Sequence, residues 1–264
     1  MTTPHSAKEL HVAPIAADDA NRFVRKHHYS GKVAPNSQLH LGVFLNHRLE
    51  GAMQFGPSLD KRKLQPLVAG TLWNNFIELN RLVFTDRLPR NSESRALAIA
   101  FRMMRREYPQ IHWVVSFADG TQCGDGTIYR AAGFVLTGIR RNTSIWRAPT
   151  GEVSVNLALR EATITKSAAT HGARCLVNNG SASMRRFEAA GYRPLEGYQL
   201  RYVYFLDPTA RARLTVPVLP FSTIAEVGAG MYLGKARGKQ AMTGHHPVQR
   251  RGSTDRHAPG ELAT

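Results

Sequence analysis

Ile111-His-Trp-Val-Val-Ser-Phe-Ala-Asp-Gly-Thr-Gln-Cys-Gly-Asp-Gly-Thr-Ile-Tyr-Arg-Ala-Ala-Gly-Phe134 reads as strand, loop, helix and strand in succession. Ile111 to Phe117 is short, β-branched and aromatic, as a buried strand is, and Gly120, Gly124 and Gly126 break any regular continuation. Thr127 to Ala132 predicts a short helix stopped at Gly133, with Phe134 opening the next strand. In open α/β sheets, ligands collect beyond the carboxyl ends of strands. Ser116, Asp119 and the glycine loop are therefore the candidate site. Tyr129, one turn before the helix stop, is spaced to bring its phenol to the same strand end.

Toward the N-terminus, Ala16 to Tyr29 carries acidic residues first and basic residues last, as a helix dipole favours, with Ala20, Phe23, Val24 and His27 on one face. His28 and Tyr29 stand at the helix end beside Lys32, Asn36, Ser37 and Gln38. A histidine there is either a helix-end cation or the lining of a substrate or metal site. Leu39 to Leu45 and Leu49 to Phe55 flank Asn46-His47-Arg48 and predict a hairpin. A long basic loop follows, whose Lys61, Arg62 and Lys63 are either solvated or turned to phosphates. Phe76 to Phe84 is a third strand, in which Glu78 and Asn80 alternate with apolar residues until Arg81 breaks the pattern. An arginine in that setting needs a partner, either Glu78 or an anionic ligand. Asn91-Ser92-Glu93-Ser94 starts a helix through Tyr108, with Ala96, Ile99, Ala100 and Met103 inward and first-turn amides suited to pyrophosphate.

Beyond Phe134, Val135 to Ile139 and Thr143 to Trp146 are expected to extend the sheet, and Tyr198 to Leu206 is a strong strand. Gly180 to Tyr192 repeats the helix-glycine-aromatic pattern, but Phe187 takes the place of Tyr129 and has no proton to give. From Gly234 the chain turns Gly-, Lys-, Arg- and His-rich, the composition of a disordered basic tail. The expected layout is a flexible N-terminus over 1–12, one catalytic domain over 13–233 and a tail over 234–264. Its fold class is α/β (α+β), a central mixed sheet flanked by helices.

The 264 residues hold 35 Lys plus Arg against 19 Asp plus Glu, a net charge of +16 that favours a polyanionic partner. Cys123 and Cys175 are too few and too far apart in sequence for a disulfide framework or a zinc pattern, and Cys123 reads as a small loop residue. No apolar run reaches the ~20 residues of a membrane span. A reducing, cytoplasmic setting is the simplest expectation.

Two resemblances sharpen this reading. Tyr129-Arg-Ala-Ala-Gly-Phe134 is similar to the ending of the fourth helix in GNAT acyltransferases, where the tyrosine protonates the departing thiolate of coenzyme A. The Arg/Gln-x-x-Gly-x-Gly/Ala loop usual in that superfamily is replaced here by Leu88-Pro-Arg-Asn-Ser-Glu-Ser. A wider likeness is carried by His27-His-Tyr-Ser-Gly-Lys, Ser37-Gln-Leu-His-Leu-Gly, Glu50-Gly-Ala-Met-Gln-Phe-Gly, Glu78-Leu-Asn-Arg-Leu, Leu88-Pro-Arg-Asn-Ser-Glu-Ser-Arg and Ser116-Phe-Ala-Asp-Gly. Over residues 15–233 the chain resembles the Mom proteins of Mu-like bacteriophages. The resemblance implies a GNAT-like enzyme that converts adenine N6 in double-stranded DNA to N6-carbamoylmethyladenine in the host cytoplasm, shielding phage DNA from restriction.

By the same resemblance His28, Tyr29, Arg81, Asp119 and Tyr129 are functional, and the strand-end geometry adds Ser116. The expected roles are Asp119 accepting the N6 proton or orienting the amine, Tyr129 protonating a leaving group, Arg81 holding an anionic donor, and His28 and Tyr29 stacking on a flipped-out adenine. Asn91 and Ser92 are expected at the donor, which is acetyl-CoA, a related acyl donor or a glycine-derived one. The family also implies iron, for which His28 and Tyr29 are the candidate ligands, and a homodimer is compatible with it. Two alternatives stand beside this reading. A conventional GNAT N-acetyltransferase acting on a protein or small amine uses the same Tyr129 but leaves the charge unexplained; a non-catalytic DNA-binding protein explains the charge alone.

Overall fold

Alternation of apolar and polar residues becomes strand in this chain, and the 3.6-residue stripes become helices packed on both sides of one sheet. A computed structural model describes residues 6–142, 145–151, 153–155, 177–178, 181–182, 184–232 and 235–236. The strands are β1 (His11–Pro14), β2 (Leu39–Leu45), β3 (Arg48–Gly56), β4 (Phe76–Phe84), β5 (Trp113–Asp119), β6 (Val135–Arg141), β7 (Ile145–Arg147), β8 (Val153–Val155), β9 (Val177–Asn178), β10 (Ser181–Ala182), β11 (Arg193–Pro194), β12 (Tyr198–Phe205), β13 (Met231–Tyr232) and β14 (Lys235–Ala236). The helices are α1 (Ala17–His27), α2 (Lys61–Leu64), α3 (Ser92–Glu107), α4 (Thr127–Ala131), α5 (Met184–Ala189) and α6 (Thr223–Glu226).

The main sheet has seven strands in the order β1-β2-β3-β4-β5-β12-β6. Every neighbouring pair in it is antiparallel except β4 and β5, which α3 joins as a parallel crossover. The mixed α/β sheet expected from the sequence is thus present, and its one parallel pair lies at the centre. Asn46 and His47, both at positive φ (50° and 61°), make the tight turn between β2 and β3.

Helices α3 and α4 cover one face, where Leu97, Phe101 and Met104 pack with Met53, Phe55, Ile77 and Leu79. On the other face Phe23 and Val24 of α1 sit on Ala52 and Val83, while Leu64, Leu67 and Val68 cover Phe76, Trp113, Val115 and Val203. Each such side chain contributes roughly 1.5–3 kcal/mol relative to exposure.

Several expectations are corrected. The inward stripe of α3 is Ala96, Leu97, Ala100, Phe101 and Met104, with Ile99 and Met103 only partly covered, because the helix is turned about one residue from the expected phase. β5 starts two residues later than expected and ends on Asp119, so Asp119 belongs to the strand and not to the loop. β7 does not extend the main sheet but joins β8 and β11 in a separate three-stranded one. At the N-terminus order begins before residue 13: Ser6 and Glu9 form a capping box on a 3-10 turn over Ala7–Glu9, and β1 follows. The pattern around Phe187 and Gly191 does form a helix end, with Phe187 buried edge-on against Tyr192. Cys175 and the basic tail beyond residue 236 lie outside the described residues.

Candidate active site

The parallel ladder between β4 and β5 covers only Phe76–Glu78 against Trp113–Val115. Past that point β4 stays paired with β3 as far as Phe84, and β5 stays paired with β12 as far as Asp119. Two strands that keep their outer partners but lose each other must diverge. They leave a slot walled by Leu79–Phe84 and Ser116–Asp119. At its vertex the Ser116 hydroxyl donates to the Leu79 carbonyl at 3.4 Å, a weak partner for an acceptor the ladder no longer serves.

Tyr129 reaches this vertex from α4, which is braced by Gly126 (φ 82°) before it and Gly133 (φ 86°) after it. Its phenol is hydrogen-bonded to Ser116, and its ring lies 5.2 Å from Phe134 and 5.3 Å from Tyr202. Burial pushes its pKa up to about 12; the Ser116 hydrogen bond opposes the rise, and Cys123 and Glu78 add to it. The group is a fully protonated donor at neutral pH. Tyr129 comes from the α3 side, whereas Glu78 shares the opposite side with Phe76. Glu78 nonetheless lies near enough to Tyr129 to add to the rise in its pKa.

The break that Arg81 makes in the sequence pattern is a β-bulge. Phe55 pairs with Leu79 and Gln54 with Arg81, leaving Asn80 without a partner across β3. The extra residue reverses the alternation, so Asn80 and Arg81 both turn toward the loop after α1. Asn80 Oδ1 accepts from the Ser37 hydroxyl at 3.1 Å. Arg81 donates from Nε to the Lys32 carbonyl (2.8 Å), from Nη1 to the Asn80 carbonyl (2.6 Å) and from Nη2 to the Val33 carbonyl (3.5 Å). Its hydrogen-bond partners are thus backbone carbonyls, and Glu78 and Tyr29 lie within electrostatic reach of the guanidinium. The guanidinium pins the loop that carries His28 and Tyr29 to the rim of the slot.

His28 is mostly buried and neutral. Burial, with Arg81 second, lowers its pKa to about 3. The Ser30 backbone N–H donates to its Nδ1 at 3.2 Å, and the Ser30 hydroxyl lies 2.8 Å from the same nitrogen. A backbone N–H can only donate, so the neutral ring carries its proton on Nε2. A helix-end cation is therefore excluded. The His28 and Tyr29 rings are 4.2 Å apart and tilted by 32°. Tyr29 exposes 48% of its surface, yet loss of solvent, then Asp119, Cys123 and Tyr129, raises its pKa, with Arg81 opposing. Those interactions place Asp119, Cys123, Tyr129 and Arg81 around one half-exposed phenol.

Asp119 is held by its own turn. Its carboxylate accepts from the Thr121 N–H (3.0 Å), Gln122 Nε2 (3.0 Å) and Asn142 Nδ2 (3.3 Å). Asn91 takes left-handed backbone (φ 67°) and gives α3 no side-chain cap, so the first-turn amides remain suited to an anion. Ser92 is wholly buried and spends both its N–H and its hydroxyl on the Pro89 carbonyl, so only its neighbours can serve a donor. Glu93 in that first turn works against a pyrophosphate. For iron the residues do not fit: among the described residues no three of His, Cys, Asp and Glu come together, His28 Nδ1 is taken, and the Tyr29 phenol is driven away from phenolate.

Sequence reasoning passed over Glu78. Its partly buried carboxyl is hydrogen-bonded to Ser58 and Asn80 and faces Arg81; loss of solvent prevails, and its pKa is raised. The available signal was a carboxylate inside an otherwise apolar strand, three residues before the break in alternation. Cys123, read from the sequence as a small loop residue, lies exposed within electrostatic reach of both tyrosines.

Among solved structures the chain is similar to the ribosomal-protein-S18-alanine N-acetyltransferase of Escherichia coli, with a TM-score of 0.40 and 8% identity over 75% of this chain and 94% of that one. A GNAT family acetyltransferase from Elizabethkingia anophelis with acetyl-CoA bound matches at a TM-score of 0.34 and 10% identity, over 75% of this chain and 98% of that one. The methylcarbamoylase mom of Escherichia phage Mu is 34% identical over 211 residues, covering 80% of this chain and 81% of that protein. The model of the Mom protein family matches residues 9–223, and the chain belongs to that family.

Proposed function

We propose that the chain is a phage DNA-modification transferase that replaces a hydrogen on adenine N6 with a carbamoylmethyl group and thereby protects the DNA from restriction. The observation that carries this reading is the slot between β4 and β5, with a protonated phenol at its vertex and a proton-avid carboxyl on its far wall, in a chain 34% identical to a methylcarbamoylase. Adenine N6 is a poor nucleophile because its lone pair is delocalised into the ring, and in duplex DNA its proton is engaged in pairing. The base must leave the stack, at a cost of a few kcal/mol. The paired rings of His28 and Tyr29, 4.2 Å apart at the rim of the slot, receive it.

Forming the N–C bond requires loss of one N6 proton and departure of a leaving group from the donor. Glu78, whose affinity for a proton is raised by burial, accepts the former; Asp119, already saturated with donors, holds the turn that orients the amine. Tyr129, steadied by Ser116, protonates the latter. A donor that carries the carbamoylmethyl group on a leaving group enters from the α3 end of the slot, and the N6–CH2 bond forms as the bond from that CH2 to the leaving group breaks. The product linkage is an alkyl one, so simple acetyl transfer does not make it, and the donor must deliver the whole carbamoylmethyl unit. Arg81 acts by holding the His28–Tyr29 loop.

Plasmid DNA from cells expressing the protein is expected to resist restriction endonucleases whose sites contain adenine. Glu78→Gln and Tyr129→Phe, each checked for a folded thermal transition, are expected to leave the DNA cleavable. Cleavable DNA from abundant, folded wild-type protein counts against the assignment.

A further inference from the structure

The loop between β3 and β4 exposes more apolar surface than its position explains. Leu59 is 81%, Leu72 70% and Trp73 49% exposed, although α2 and the turn after it pack firmly below them. This is not slack chain. Leu72 N–H donates to Asn75 Oδ1 at 3.0 Å, Asn75 N–H donates to the Leu72 carbonyl at 3.0 Å, and Asn75 Nδ2 reaches the Gln110 carbonyl at 2.8 Å. Underneath, Trp113 Nε1 donates to Thr71 Oγ1 at 3.1 Å, and Thr71 donates to the Val68 carbonyl at 2.6 Å. An apolar tip held rigidly in water implies a surface to meet.

Charge beside the tip says which. The α2 turn contributes Lys61, Arg62 and Lys63, with Lys63 in an exposed pair with Asp60. Lys61 Nζ lies 4.9 Å over the Trp73 ring and 5.4 Å over Phe76, so a cation and an aromatic face are presented together. The loop is also tied to the site at both ends. Ser58 is hydrogen-bonded to Glu78, Asn36 donates to the Pro57 carbonyl, and the loop closes on Phe76, two residues before Glu78 on the same face of β4. Two strand residues span ~7 Å, so the patch begins within a few base-pair steps of the slot.

We propose that this loop docks the duplex beside the target adenine, with Lys61, Arg62 and Lys63 on phosphates and Leu72 and Trp73 against the sugar and base surface laid open when the adenine leaves the stack. The proposal rests on the DNA reading above and deepens it. Apolar and aromatic wedges beside basic residues are the general means by which proteins hold a distorted duplex.

The test uses the full-length protein and a synthetic adenine-containing duplex. Of its three tryptophans, Trp113 and Trp146 are 0% and 5% exposed, so DNA-dependent quenching of emission reports Trp73. Quenching in the wild type, its loss in Trp73→Leu together with about tenfold weaker binding, and a salt slope reduced by about two in Arg62→Ala/Lys63→Ala are expected. These exposed positions leave folding intact, which thermal unfolding checks. Unchanged quenching, affinity and slope overturn the proposal. So does self-association of the wild type that Trp73→Leu abolishes without altering DNA affinity, which makes the face a contact between copies. The two readings fail separately: modified DNA with wild-type behaviour of the variants sinks the docking assignment alone, whereas unmodified DNA with the expected binding signatures sinks the chemistry alone.

Discussion

His28 is kept neutral by burial and by Arg81, and that neutrality has a thermodynamic signature. The folded ring titrates at about 3 and the unfolded one near 6.5, so between those values the unfolded chain binds a proton the folded chain refuses. Stability therefore falls as pH drops from 6.5 toward 3, by at most about 1.4 kcal/mol per pH unit. Urea denaturation at pH 7 and pH 5 is expected to show the wild type losing about 1–2 kcal/mol more than His28→Gln; equal losses would mean that His28 is solvated. His27 and His40, lowered in the same sense, are common to both proteins and cancel. Ser116 and Tyr129 were legible because the end of a strand and a helix stop both leave marks in sequence. Glu78 was not, because a polar residue at an alternate strand position looks solvated unless the covering loop is known. Arg81 was recognised as needing partners, but the carbonyls that satisfy it lie 48 and 49 residues away and carry no sequence signal.

The bulge at Asn80 is the element on which the site turns. It swings Asn80 and Arg81 onto the face that holds the loop after α1, and Gly56 makes room for that loop. A Cβ on Gly56 would stand 2.3 Å from the Asn36 carbonyl oxygen and 2.7 Å from Ser37 Cα, both backbone atoms unable to yield alone. Gly56→Ala is accordingly expected to cost about 1–3 kcal/mol in denaturation and to abolish DNA modification. A variant of wild-type stability and activity would show that the loop need not sit against β4. The hairpin, β4 and α4 were readable from alternation and turn chemistry. The phase of α3 and the fate of β7 were not: both depend on which neighbour covers them, and β12 enters the sheet between β5 and β6 from 57 positions after Arg141.

At the scale of the whole molecule, the chain carries a net charge of +16 and its main sheet is split at the centre; under the proposed activity the charge draws a polyanion and the split holds the group transfer. The charge and the mixed sheet were legible from the sequence; the slot was not, since it arises from strand order, which composition does not encode. Membership of the Mom family joins the two features in one activity. The most direct test is mass spectrometry of nucleosides from plasmid DNA of cells making the wild-type protein or Tyr129→Phe. Deoxyadenosine carrying the mass of a carbamoylmethyl group is expected with the wild type, and its loss with the folded variant. Deoxyadenosine of unchanged mass in both samples, or an acetyl mass in its place, would contradict the proposed activity.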